Sequence, residues 1–164
     1  MTSRALTMTE CRAACCSVPS GTGRRRRRAW RNQTTRMKLL PEQTNETSLL
    51  RFGQEAVSLL EKRDFQSLAD RFGYALACGR NPAAAIESDF QPCPAEFHAS
   101  SEPPTAVSSS IVVKYFKPND TNLFAVVECT HIAAEGCPIL TELIVTSSGE
   151  DKHIFLEQIS LAKV

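Results

Sequence analysis

Between Asn45 and Ile86 the apolar residues recur at helical spacing. Leu49, Phe52, Ala56, Leu59 and Leu60 form one stripe, with Gln54, Glu55, Glu61 and Lys62 lying off it, which predicts an amphipathic helix opened by Asn45 as its N-cap. Arg63-Asp64 interrupts the stripe. Asp64 suits the cap of a second helix whose buried face is Phe65, Leu68, Ala69, Phe72 and Leu76, with Gly79 as its stop. A third, short helix is announced by Asn81 as N-cap and Pro82 at the first helical position, where the missing N–H costs nothing, followed by Ala83, Ala84, Ala85 and Ile86.

Pro92, Pro94, Pro103 and Pro104 mark residues 91–106 as an irregular connection, and beyond it the period falls from 3.6 to 2. Four strands are predicted, at about 108–117, 122–132, 138–146 and 152–161, joined by turns at Pro118–Thr121, Ala134–Gly136 and Ser147–Asp151. Connections this short require antiparallel neighbours. The expected fold class is therefore α+β: two or three N-terminal helices packed on one face of a four-stranded antiparallel meander.

Charge redraws the boundaries of that picture. Residues 1–38 carry ten Lys or Arg and one acid, whereas residues 39–164 carry nine bases and seventeen acids, so the net charge of +1 is a cancellation. The basic front has almost no acid and no sustained apolar period, and is expected to be a disordered tail over residues 1–44, with a single domain at 45–164. Four readings of the front stay open. Translation could begin at Met37, the upstream stretch being an overextended gene start. The run Arg24, Arg25, Arg26, Arg27, Arg28, Trp30 and Arg31 sets guanidiniums beside an indole, as RNA binding by phosphate neutralisation and base stacking would use. Nuclear import and a transit peptide are the other two.

No apolar run approaches the eighteen residues that cross a bilayer, so no membrane partner is expected. Seven cysteines without a signal-peptide apolar region after the arginines point to a reducing cytoplasm rather than a disulfide framework. The same reasoning makes the three Asn-X-Thr triplets, at Asn32, Asn45 and Asn119, chance occurrences.

The candidate chemistry is a carboxylate row. A hairpin turning near Glu135 pairs residues whose numbers sum to about 270, placing Glu128 opposite Glu142, and the next turn brings Glu142 opposite Leu156 or Glu157. Val126, Ile132, Leu140, Ile144, Phe155 and Ile159 would surround the three acids with an apolar wall, the setting that raises a carboxyl pKa towards general acid or base work. A solvated sheet face has the same pattern. Phe72, Tyr74 and Tyr115 are candidates to line a pocket between helices and sheet. Cys129 and His131 share a strand face, with Cys137 and His153 nearby in the meander, but their spacing matches no zinc knuckle. No serine sits in a nucleophile elbow, and neither a phosphate loop nor a dinucleotide fingerprint is present. No catalytic residue, metal ligand or cofactor is assigned.

Helices followed by a curled antiparallel sheet, with the stretch LLEKRDFQSLADRFGYALACG, resemble the cystatin-like and NTF2-like α+β domains over about residues 48–161. The usual strand between the helices is missing. The middle, FGYALACGRNPAAAIESDF, also resembles small uncharacterised bacterial domains, which implies no activity. The expected function is a small acidic non-enzymatic binding domain for a protein partner or small ligand, with a homodimer through the sheet as one form; bacterial immunity proteins offer an analogy. The alternatives are an NTF2-like enzyme or ligand carrier using Glu128, Glu142 or Glu157, and RNA binding through the arginine-rich tail.

Overall fold

A computed structural model describes residues 36–91, 109–133 and 136–162. Along the chain run β1 (Met37–Leu39), a 3-10 turn (Pro41–Thr44), α1 (Glu46–Glu61), α2 (Phe65–Phe72), a second 3-10 turn (Ala75–Ala77), α3 (Pro82–Phe90), β2 (Ser110–Tyr115), β3 (Leu123–Ile132), β4 (Pro138–Ser148) and β5 (Asp151–Leu161). This is the α+β arrangement the periodicities predict, with one strand more. The Arg24–Arg31 segment and most of the Pro-rich connection lie outside the described residues.

Each helix begins where a short polar side chain captures an orphan N–H of the first turn. Asn45 accepts from the Ser48 N–H at 2.8 Å, Asp64 from Ser67 at 3.1 Å and Asn81 from Ala84 at 3.0 Å. The hydrogen bonds from Ser67 hold the Asp64 carboxyl below its ordinary pKa. α2 ends sooner than Gly79: Gly73 takes φ 65°, a region open mainly to glycine, and its N–H closes the helix on the Ala69 carbonyl. Leu76 consequently belongs to a 3-10 turn and not to the buried face of α2.

The sheet order is β1-β5-β4-β3-β2, antiparallel throughout. The fifth strand, β1, pairs Met37 with Ile154 and Leu39 with Lys152, so the ordered domain extends upstream of Asn45 into the stretch assigned to the tail. Three residues, MKL, are too few for alternation to register in the sequence.

Every second residue of β3, namely Ala125, Val127, Cys129 and His131, is buried towards the helices. There α1 crosses so closely at Gly53 that a Cβ on that residue would lie 2.9 Å from Cys129 Sγ, 2.9 Å from Ile111 Cγ2 and 3.1 Å from Val127 Cγ1. Phe52, Leu68, Phe72, Tyr74, Ile86 and Phe90 complete the helical side of the core, against Ile139, Leu143, Val145, Ile154, Leu156 and Ile159 of the sheet. No described helix is long and apolar enough to cross a membrane.

A β-bulge between β4 and β5 decides which residues of β5 face which way. Leu143 pairs with Leu156 but Glu142 pairs with Gln158, leaving Glu157 as the extra residue. The parity of β5 flips there. Phe155 and Gln158 share the face away from the helices, while Leu156 and Ile159 are both fully buried on the helix side.

Candidate functional site: the open face of the sheet

The residues left by that alternation form three cross-strand rows on the face away from the helices. Ser110, Thr130, Leu140 and Ser160 make the first, and Val112, Glu128, Glu142 and Gln158 the second. Lys114, Val126, Ile144 and Phe155 make the third. Arg36, the residue before β1, extends the third row by laying its guanidinium over the Phe155 ring, 4.8 Å from the centroid. An apolar stripe is thus bounded by a cation at each end.

Glu128 and Glu142 stand directly opposite one another, as the hairpin sum requires. Neither carboxylate depends on the other for a partner. Glu128 accepts from Lys114 Nζ at 2.6 Å, and Glu142 accepts from the Gln158 side-chain amide. The expected third member is corrected by the bulge: Gln158, not Glu157, completes the row. Ile159 likewise leaves the apolar wall of this face for the core. Two like charges on neighbouring strands are destabilising, and here the lysine offsets the charge of Glu128 while the amide gives Glu142 a hydrogen bond.

The rim is balanced in sign. Lys38 pairs with Asp151 at 2.8 Å across β1 and β5, and that bond holds the Asp151 carboxyl below its ordinary pKa. Arg36, Lys38 and Lys114 equal Glu128, Glu142 and Asp151 in number, so both signs of charge are interspersed on this face. Val112 and Ile132 are exposed on it, and Val126, Leu140 and Ile144 are half-buried.

No protein-family model, curated protein or solved structure matches this chain. What the surface can do rests on its own side chains.

The three aromatic candidates lie elsewhere. Phe72 and Tyr74 are buried in the core between helices and sheet, where the Tyr74 hydroxyl donates to Asp89 at 2.8 Å and Arg80 approaches the same carboxylate at 3.4 Å. Tyr115 sits on the outer strand β2 with its hydroxyl donating to the Thr44 carbonyl at 3.0 Å; partial burial, then Glu46, raises its pKa. These groups do not converge with Glu128 and Glu142, which lie across the sheet from the helices. Three surface clefts of about 430, 460 and 370 Å³ are present, and none of these is lined by the predicted glutamates or aromatics.

Cys129 and His131 do share a face, the one beneath α1, whereas His153 pairs with Thr146 and Lys38 on the other. Burial pushes the Cys129 thiol up to about 12, so it is a packed apolar group and not a nucleophile. Among the described residues no three His, Cys, Asp or Glu side chains gather as a metal site. The element that sequence reasoning missed is Arg36, whose role is visible only once β1 is known to pair with β5.

Proposed function

We propose that this chain is a non-enzymatic binding module that pairs the open face of its sheet with the same face of a second copy. The observation supporting this reading is the third row, an apolar stripe of Val126, Ile144 and Phe155 closed by Lys114 and Arg36. A face that intersperses both signs of charge can meet its own copy in a two-fold arrangement that sets cations of one subunit against acids of the other. Exposed Val112 and Ile132 supply apolar area at the rim. The helices-then-meander order also fits the NTF2-like resemblance, as an architecture and not as an activity.

Sedimentation equilibrium of the full chain tests the proposal. The wild type is expected to weigh as a dimer at about 100 µM, and Ile144→Lys, which puts an unpaired charge in the middle of the stripe, as a folded monomer. A wild type that stays monomeric at that concentration, or a variant that dimerises equally well, refutes it.

A further inference from the structure

Among the described residues, the core contains one histidine, with a ring nitrogen that the packing leaves unpaired. His131 on β3 is 2% exposed, and its Nδ1 has no hydrogen-bond partner. Leaving a buried polar atom unpaired costs on the order of 1–3 kcal/mol, so a position that needed only filling would be better served by leucine. Thr141, opposite Cys129 on β4 and wholly buried, has an unpaired Oγ1 as well.

His131 also lines a cleft of about 370 Å³ between the second half of α1 and the β2–β3 edge of the sheet. Leu50, Val57 and Ile111 supply an apolar wall, while Gln54 and Glu61 from α1 supply a polar one. Glu61 is the only charged side chain among the lining residues. The volume lies at the small end for ligand sites and admits roughly a dozen non-hydrogen atoms.

We propose that this cleft is a binding site for a small organic ammonium ion with an apolar tail, its head held between the Glu61 carboxylate and the His131 imidazole and its tail on Leu50, Val57 and Ile111. Charge selects the sign of the guest: a lone carboxylate favours a cation and repels a carboxylate or phosphate. Donor count selects the head group. An ammonium carries three donors and no acceptor, so it satisfies the acid and an imidazole lone pair together. Burial depresses the His131 pKa against a weaker opposing pull from Glu61, which keeps the ring neutral at neutral pH. Nδ1 is sealed inside the protein without a partner, which leaves Nε2 to meet a guest, and Nε2 accepts from an ammonium in the tautomer that carries the ring proton on Nδ1. The cleft borders the first row of the open face at Ser110 and Thr130 but shares no residue with the stripe that carries the dimer proposal, so Ile144→Lys should leave hexylammonium binding unchanged.

The test is a titration of the full chain with hexylammonium chloride, followed by the NMR signals of the His131 ring and the Val57 and Ile111 methyls. Sodium hexanoate and hexanol serve as the anionic and neutral controls. A saturable shift with hexylammonium, a weaker one with hexanol and none with hexanoate are expected. Glu61→Gln, on an exposed helix position, should weaken hexylammonium about tenfold without altering the rest of the spectrum, and Val57→Trp, which fills the cleft, should abolish binding. No saturable response up to about 10 mM hexylammonium, equal binding of hexanoate, or an unchanged affinity in Glu61→Gln overturns the proposal.

Discussion

Replacing Gly53 by alanine should destabilise the domain, although alanine is the better helix former by about 1 kcal/mol in the middle of a helix. The reason is the close crossing of α1 over β2 and β3. A methyl there meets Cys129 Sγ and Ile111 Cγ2, each at 2.9 Å, and Val127 Cγ1 at 3.1 Å. Atoms from two strands converge on the new carbon, so no single rotamer change relieves all three contacts, and Cys129 and Val127 are fully buried. Overpacking costs about 1–3 kcal/mol, and with three contacts, two of them under 3.0 Å, the upper part of that range, about 2–3 kcal/mol, applies; subtracting about 1 kcal/mol of helix propensity leaves a net loss of about 1–2 kcal/mol. For a domain of this size that lowers Tm by about 4–8 °C. Urea unfolding followed by circular dichroism gives the value directly, and a double-mutant cycle isolates its cause. Cys129→Ala alone should cost about 1–2 kcal/mol through the cavity it leaves, yet in the Gly53→Ala background the space it vacates accepts the new methyl. The double variant should therefore be more stable than the sum of the singles by about 1 kcal/mol. Additive losses, or a Gly53→Ala variant as stable as the wild type, would refute the close-crossing argument.

The depressed pKa of His131 makes a pH prediction. Because its folded pKa lies below 6.5, the unfolded chain binds the proton more readily; stability is then level above about pH 7 and falls as pH drops through 6.5, by at most about 1.4 kcal/mol per unit. His131→Gln should flatten that slope between pH 7.5 and 5.5, and urea midpoints that respond to pH identically in both proteins contradict it. Removing the cap of α3 with Asn81→Ala strands the Ala84 N–H and should cost about 1 kcal/mol, read from the same unfolding curves; a loss below about 0.3 kcal/mol means the cap contributes little.

The parts of the fold that could be read in advance are those written in local chemistry. Asn45, Asp64 and Asn81 cap their helices because each side chain needs only an N–H three residues on. The β3–β4 pairing was legible because a short turn leaves one register that buries Val127 and Leu143 together, and Glu128 opposite Glu142 follows from it. The rest depended on features without a local signature. Nothing in KHIFLEQISL announces that Glu157 is an extra residue, so simple alternation brings Leu156 or Glu157 opposite Glu142 and keeps Ile159 on the open face, whereas the bulge sets Gln158 opposite Glu142 and turns Ile159 into the core. The end of α2 depended on a choice between Gly73 and Gly79, which both take positive φ; the helix closes at the first of them, where the Gly73 N–H bonds the Ala69 carbonyl. Tyr74 and Phe72 have the composition of pocket walls, but whether an aromatic lines a space or fills one is decided by everything packed around it.

The pairing of β1 with β5 has a consequence for the order of events in folding. Met37 meets Ile154 across an interval spanning the whole helical layer and three of the other strands, and β5 lies between β1 and the rest of the sheet. During synthesis α1 therefore emerges long before β2 and β3, the strands it covers, and β1 waits for the last strand made. Closing so long a loop slows folding, and until β2 and β3 arrive the apolar stripe of α1 has no strands to lie on. In the growing chain, the interval between the appearance of α1 and that of β5 is when this domain is most exposed to aggregation and to chaperones.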